Sequence, residues 1–152
     1  MLGIDSEFVQ DNFSMSCEIG TVRGLHCQRP PNAQAKLIRC ARGRLFDVAV
    51  DVRKGSPDFG RWVAEELSFA NGRQLFIPAG FLHGFVTLEP NTEIMYKCSD
   101  FYMPDNEISV RFDDPDIAID WPMNTQNAIL SSKDAVAVSW AEFDSPFIYE
   151  DG

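Results

Sequence analysis

Residues 73–85 read RQLFIPAGFLHGF. Gln74–Ile77 has the aromatic and β-branched content of a short strand. Pro78-Ala79-Gly80 then breaks the pattern, because proline and glycine together mark a tight turn. A second strand follows with Leu82, Phe85 and Val86, and it carries His83. The chain has only two histidines. The other, His26, lies in a similar stretch, VRGLHCQ, Val22–Gln28. Two strands joined by so short a turn, with a lone histidine just beyond it, set the pattern for the rest of the chain.

Outward from this stretch the same grammar repeats. In RLFDVAVDVR, Phe46, Val48, Val50 and Val52 alternate with Asp47, Ala49, Asp51 and Arg53, the period of a pleated strand. AKLIRCA, RWVAEELSF, LHGFVTLE and TEIMYKCS are strand candidates of similar length. RGR, KGSPDFG, ANGR, EPNT and MPDNE separate them as turns. Many short strands at this spacing predict a sandwich or jelly roll. One helix candidate stands out, SSKDAVAV, which Ser131 or Ser132 would cap. The tail EFDSPFIYEDG is acidic and is expected to be loose. No repeat or linker divides the chain, so residues 1–152 are expected to form a single domain.

Composition narrows the function. A net charge of −10 argues against a nucleic-acid surface, which needs a basic stripe. Any anionic ligand must then be met by a local group of Arg and Lys. No apolar run approaches a membrane span. The four cysteines, Cys17, Cys27, Cys40 and Cys98, show no C-x-x-C spacing, and no signal peptide is evident. They read as reduced thiols of a cytoplasmic protein.

Three readings of the histidines stay open on the residues alone: metal ligands, acid–base groups, or buried core residues. Gly72, Pro78, Gly80 and His83 have the spacing of the second cupin motif, so this stretch resembles a jelly-roll turn that points His83 into a barrel. A metal-binding cupin would also carry His-x-His and a Glu in its first half. Here Gln28 stands where the second His belongs, and no Glu lies between His26 and Gly43. Catalytic zinc or iron wants about three protein ligands, so no metal is expected. Arg23 and Lys36 lie near His26 in sequence, and in a regular strand Arg23 and His26 would take opposite faces unless the chain bulges at Gly24. With Tyr96 and Asp134, these residues offer a base, an acid, a cation and an orienting carboxylate.

The stretches FVQDNFSMS, VRGLHCQ, AKLIRC, GRLFDVAVDVRKGSPDFGRWV, RQLFIPAGFLHGFVTL, YKCSDFYMPDNE, DPDIAIDWP and LSSKDA together resemble the dTDP-4-dehydrorhamnose 3,5-epimerase family, from about Phe8 to Ala135. The resemblance implies an all-β fold, a double-stranded β-helix (cupin jelly roll) with a short C-terminal helix. It implies a cofactor-free, metal-free homodimer acting on a dTDP-sugar, a 4-keto-6-deoxyhexose, by proton transfer. It makes His26 the general base and Asp134 the carboxylate that holds it. Tyr96 becomes the acid on the opposite sugar face, and Lys36 the cation beside the enolate. Gln10, Asp11, Asn12, Arg23, His83, Tyr102, Glu107 and Lys133 match substrate-binding positions, with Tyr102 stacking on the base. An epimerase of one carbon, a keto-isomerase on a related nucleotide, a non-catalytic sugar-nucleotide-binding cupin, and a metal-dependent oxygenase are the rival readings.

Without the resemblance, each residue has a plainer role. Tyr96 fits an ordinary strand aromatic, Lys36 a solvated lysine, and Asp134 a first-turn acid favoured by the helix dipole. Asp47 and Asp51 are expected to pair with Arg44 or Arg53, and Asp113–Asp116 to form a surface turn. Three positions depart from the family pattern. An upstream Arg and Glu that help bind the nucleotide are not found before FVQDN, so weaker nucleotide binding and a weaker dimer are expected. Phe13 replaces a usual His, as a packing change that could also alter the edge of the pocket. Cys27 replaces a usual aromatic, as a packing change.

Overall fold

The structure, a computed structural model, describes residues 4–150. Eleven strands follow one another: β1 Gln10–Ser16, β2 Val22–Gln28, β3 Lys36–Arg42, β4 Arg44–Asp51, β5 Arg53–Lys54, β6 Trp62–Ser68, β7 Gln74–Ile77, β8 Phe81–Thr87, β9 Thr92–Cys98, β10 Glu107–Ser109 and β11 Phe147–Ile148. One helical turn, α1 Ser132–Ala135, falls between β10 and β11. The strands form a four-stranded sheet, β1-β9-β3-β7, and a five-stranded sheet, β10-β2-β8-β4-β6. Both are antiparallel throughout, and two-stranded β11-β5 is parallel. This is the expected all-β jelly roll.

The larger sheet is covered on both faces, for two different reasons. Its inner face meets the smaller sheet, where Leu45, Leu67, Phe85 and Ala49 pack against Ile38, Cys40, Ile77 and Ile94. Its outer face carries Val22, Leu25, Val48, Val50, Leu82 and Val86. The chain after β10 folds back over that face with Val110, Phe112, Ile117 and Trp121. Phe46 and Phe112 meet Trp121 edge-on, with centroids 6.0 and 5.8 Å apart. The Trp121 indole N–H donates to the Phe112 carbonyl at 2.8 Å, so burial of the indole leaves no orphan donor. Each fully buried Leu or Ile contributes about 1.5–3 kcal/mol.

The alternation read in β4 holds: Val48, Val50 and Val52 take the covered outer face, and Leu45 and Ala49 the inner one. Asp47 and Asp51 lie buried within this strand, and each has a partner. Asp51 takes a bidentate pair from Arg53, with Nη2 at 2.6 Å, and a hydroxyl bond from Ser56 at 2.7 Å. Arg44 turns instead to Glu66 and Glu89. Asp47 belongs to His83, not to an arginine as its sequence neighbours suggest.

Three expectations about the last third of the chain need correction. The helix is one turn, not eight residues, because Val138 leaves it to bridge Val110. Asp114, in the supposed surface turn, is buried and accepts from the Trp140 and Asp116 amides at 2.8 and 3.0 Å. The tail is docked: β11 pairs with β5, Phe147 is buried, and the Tyr149 ring lies 4.9 Å from the Arg53 guanidinium carbon. Its last two residues, 151–152, lie outside the described residues. Among the described residues no helix is long and apolar enough to cross a membrane.

Candidate active site

The site begins with an irregularity in β2. Pairing between β2 and β8 shifts between Arg23 and His26. Gly24 sits there at φ +121°, a conformation that side chains rarely adopt. A Cβ on Gly24 would stand 2.6 Å from the Gly84 Cα and 2.7 Å from the His83 carbonyl oxygen. The two backbones therefore touch where glycine faces glycine. The shift breaks strict alternation, and Arg23 and His26 both line one cavity, the arrangement that required a bulge.

That cavity, about 190 Å³, is lined by Ser14, Arg23, His26, Lys36, His83, Phe85 and Tyr96. It lies between the sheets. His26 and His83 are direct register partners on β2 and β8 of the larger sheet. Lys36 on β3 and Tyr96 on β9 come from the smaller sheet. Groups from opposite walls thus face a common space.

Each histidine is held by a carboxylate. His26 Nε2–H donates to Asp134 Oδ1. The Asp134 side chain is fully buried, and its second oxygen accepts from the Gly24 amide at 3.3 Å. Asp134 reaches His26 from α1, where Ser131 caps the turn by accepting from the Asp134 amide at 3.2 Å. Burial pushes the Asp134 carboxyl up, but the bonds from His26 and Gly24 outweigh it and hold the group below the usual carboxylate range. His83 Nε2–H donates to Asp47 Oδ1 at 2.6 Å. Burial pushes His83 below the ordinary imidazole value, against the pull of Asp47. The second Asp47 oxygen is buried with no hydrogen-bond partner among the described residues. Burial also lowers Lys36 and raises Tyr96. The phenol therefore keeps its proton at neutral pH.

A second group of residues adjoins the cavity. Glu107 Oε1 stands 3.9 Å from His26 Nδ1. Its Oε2 accepts from Lys133 Nζ at 2.7 Å and from the Tyr102 hydroxyl at 3.0 Å. The Tyr102 amide donates to Gln10 Oε1 at 2.9 Å, and Gln10 Nε2 donates to Asn12 Oδ1 at 2.9 Å. The candidates His26, Lys36, Tyr96, Asp134, Arg23, His83, Gln10, Asn12, Tyr102, Glu107 and Lys133 are thus connected. Asp11 is not among them, because its side chain pairs with Lys97 at 2.7 Å on the exposed side of the smaller sheet. Phe13 does not reach the pocket edge either. It is 61% exposed on that same outer side, while Ser14 lines the cavity. Cys27 is buried in the core, and burial pushes its thiol up to about 12.

Asp47, Ser14 and Phe85 are the site residues that sequence reasoning missed. The sequence signal for Asp47 is only that it is a lone acid in LFDVAV; its place beside the strand bearing His83 comes from the sheet order. Among the described residues no cluster of three His, Cys, Asp or Glu side chains is placed to hold a metal ion.

Two antiparallel sheets enclosing ionisable groups make this molecule a cupin jelly roll with a polar interior. The family model for dTDP-4-dehydrorhamnose 3,5-epimerase matches residues 1–142, and the chain belongs to that family. A dTDP-4-dehydrorhamnose 3,5-epimerase of Sinorhizobium fredii is 53% identical over 145 residues, covering 95% of this chain and 74% of the relative. One from Salmonella typhimurium is 53% identical over 137 residues, 90% of this chain and 74% of its own length. The structure of a dTDP-6-deoxy-D-glucose-3,5-epimerase from Legionella pneumophila, in complex with dTDP-4-keto-L-rhamnose, superposes with a TM-score of 0.92. It is 47% identical and covers 99% of this chain and 79% of that one. ChmJ, a 3'-monoepimerase from Streptomyces bikiniensis in complex with dTDP-quinovose, gives a TM-score of 0.82 at 37% identity over 88% of this chain and 67% of that one.

Proposed function

We propose that this chain inverts the two carbons flanking the 4-keto group of a dTDP-4-keto-6-deoxyhexose, with His26 as base and Tyr96 as acid. One observation carries the reading: His26 and Tyr96 reach a shared cavity from opposite sheets. Inversion removes a proton from one face of the sugar and returns one on the other. It therefore needs two groups with the ring between them.

The geometry also supports an assignment of the atoms. Asp134 occupies Nε2 of His26, so a neutral imidazole keeps its proton there and presents the Nδ1 lone pair. Carbons alpha to a ketone are acidic enough for such a base. Once His26 carries the sugar's proton, the Asp134 carboxylate stabilises the cation. The electrons left behind spread onto the ketone oxygen as an enolate. Burial favours the neutral amine of Lys36, and the negative charge developing on that oxygen draws it back to the ammonium that stabilises the enolate; His83, held by Asp47, borders the same space. Tyr96, kept protonated by burial, delivers the returning proton. Arg23, Gln10, Asn12, Tyr102, Glu107 and Lys133 serve the nucleotide.

The same reading extends to assembly and location. The outer side of the smaller sheet exposes Phe13, Met15 and Met95, an apolar face that a second copy of this chain would cover as a homodimer. Four free thiols, three of them buried, suit the cytoplasm. A single-carbon epimerase is the second reading, favoured by the superposition on a 3'-monoepimerase.

Proton NMR of dTDP-4-keto-6-deoxyglucose in heavy water tests both. The expected result is loss of the signals at both carbons flanking the carbonyl, with appearance of inverted product. Exchange at one carbon selects the second reading. In His26→Asn exchange should fall by about 10²–10⁴ at each carbon while the fold is kept. Unchanged exchange in that variant would remove His26 from the mechanism.

A further inference from the structure

We propose that Glu107 is the proton exit of the site: it takes the proton that His26 has drawn from the sugar and passes it to solvent. This rests on the reading of His26 as the base. Glu107 then acts through His26, not on the sugar.

The chemistry creates the need. At each carbon a C–H bond breaks, its electron pair moves into the enolate, and the proton goes to His26 Nδ1. A different proton, from the Tyr96 hydroxyl, forms the new C–H bond on the far face. Water then reprotonates the tyrosinate. The proton on His26 is never given back to the sugar. It must leave before the same nitrogen can serve the second carbon or the next substrate. One proton out and one proton in per carbon leaves the sugar isomerised, with no net change of charge.

The imidazole is itself 16% exposed by side chain, and beside that opening the geometry offers a route through Glu107. Asp134 closes Nε2, and its side chain has no exposed surface, so it holds charge but cannot pass a proton to water. Nδ1 faces Glu107 Oε1 at 3.9 Å. That is too long for a hydrogen bond, yet a small turn of the carboxylate or a bent water bridge closes it. Oε1 is also the free oxygen, since Lys133 and Tyr102 both bond to Oε2. Those two partners are about half exposed, at 47% and 49%, and the part of Lys133 that a bound nucleotide leaves uncovered places the carboxylate one bond from solvent. Glu107 itself is 13% exposed by side chain, intermediate between the sealed Asp134 and open water.

A nucleotide contact alone, or a static charge beside the imidazolium, would leave a different signature from a relay. The test is Glu107→Gln at saturating sugar nucleotide, with kcat measured against the concentration of MES, a small proton acceptor. Expected is a kcat about tenfold or more below wild type in dilute buffer, recovering to within about threefold as MES rises. The wild type should show no such dependence. Circular dichroism and thermal unfolding establish that the variant is folded. If it is not, Glu107→Asp serves in its place, because its shorter carboxylate is withdrawn from Nδ1 and should show the same recovery. A change confined to KM, or a lowered kcat that MES does not raise, overturns the proposal. His26→Asn separates the two failures. Exchange surviving in His26→Asn refutes the base assignment. Exchange lost there, with Glu107→Gln insensitive to MES, refutes only the relay.

Discussion

Replacing Asp134 with Asn removes one charge and one acceptor from a buried site where both oxygens are used. Oδ1 accepts from His26 Nε2 and Oδ2 from the Gly24 amide. An amide offers one acceptor and one donor, so it can satisfy only one of these partners. If its oxygen faces His26, its NH2 opposes the Gly24 N–H, and a buried donor is left unpaired at a cost of about 1–3 kcal/mol in stability. If its oxygen faces Gly24, its NH2 donates to Nε2, the imidazole proton moves to Nδ1, and the base has no lone pair for the sugar. In the first arrangement the imidazolium still loses its charged partner. A charge-assisted hydrogen bond is worth about 1.5–3 kcal/mol, and each 1.36 kcal/mol is tenfold in rate, so kcat should fall roughly 10- to 150-fold. In the second the loss exceeds this, with the melting temperature nearly unchanged. Deuterium wash-in by NMR at saturating substrate gives the rate, and thermal unfolding gives the stability. A variant within threefold of wild type in kcat and equal in melting temperature would refute both the orientation of His26 and its role.

Tyr96→Phe should separate the half-reactions: alpha-proton exchange continues while inverted product falls by about 10²-fold or more, and a parallel loss of both would count against the two-sided site. Gly24→Ala should cost roughly 2–5 kcal/mol in urea unfolding, from a strained positive φ and from overlap with Gly84 and the His83 carbonyl; a loss under about 0.5 kcal/mol would contradict the close approach. Stability should also depend on pH with a defined sign. Because burial lowers the folded His83 value, the unfolded chain takes up the proton first as pH drops below about 6.5. Stability should then fall by up to about 1.4 kcal/mol per pH unit until the folded value is passed, and His83→Gln should flatten that slope in urea midpoints. Asp51 and Asp134 have depressed folded values, so their contribution is full above the ordinary carboxylate value of about 4 and is lost as pH falls through the folded values.

Much of the barrel is legible in the amino-acid sequence. Strands β3, β4, β6, β7, β8 and β9 announce themselves because alternation and turn residues are local signals. His26, Lys36, Tyr96 and Asp134 can be gathered by resemblance, although they come from four separate elements. What escapes depends on non-local pairing. β10 and β11 are only three and two residues long and exist because a partner strand is present. Asp47 looks like an ion-pair partner for an arginine, since nothing in LFDVAV shows that the neighbouring strand brings His83 alongside. The tail reads as loose because its acidity is visible in sequence, whereas the pocket that receives Phe147 is not. Asp11 and Asn12 are adjacent in sequence, yet the pleat sends one side chain outward to Lys97 and turns the other toward Gln10.

The turn that carries Asp134 has a consequence for how the protein fails. Four residues make one helical turn, far too short to persist alone. It stays in place through the Ser131 cap, the Asp134 bonds and the bridges at Thr21–Ile129 and Val110–Val138 that flank it. The barrel beneath is closed by long antiparallel ladders that do not include it. Brief local opening of this segment would therefore strip the imidazole of its counter-charge while both sheets remain intact. With Asp134 in the role proposed for it, catalytic output should follow the free energy of the least secure turn and on heating should vanish at a lower temperature than the β-sheet signal.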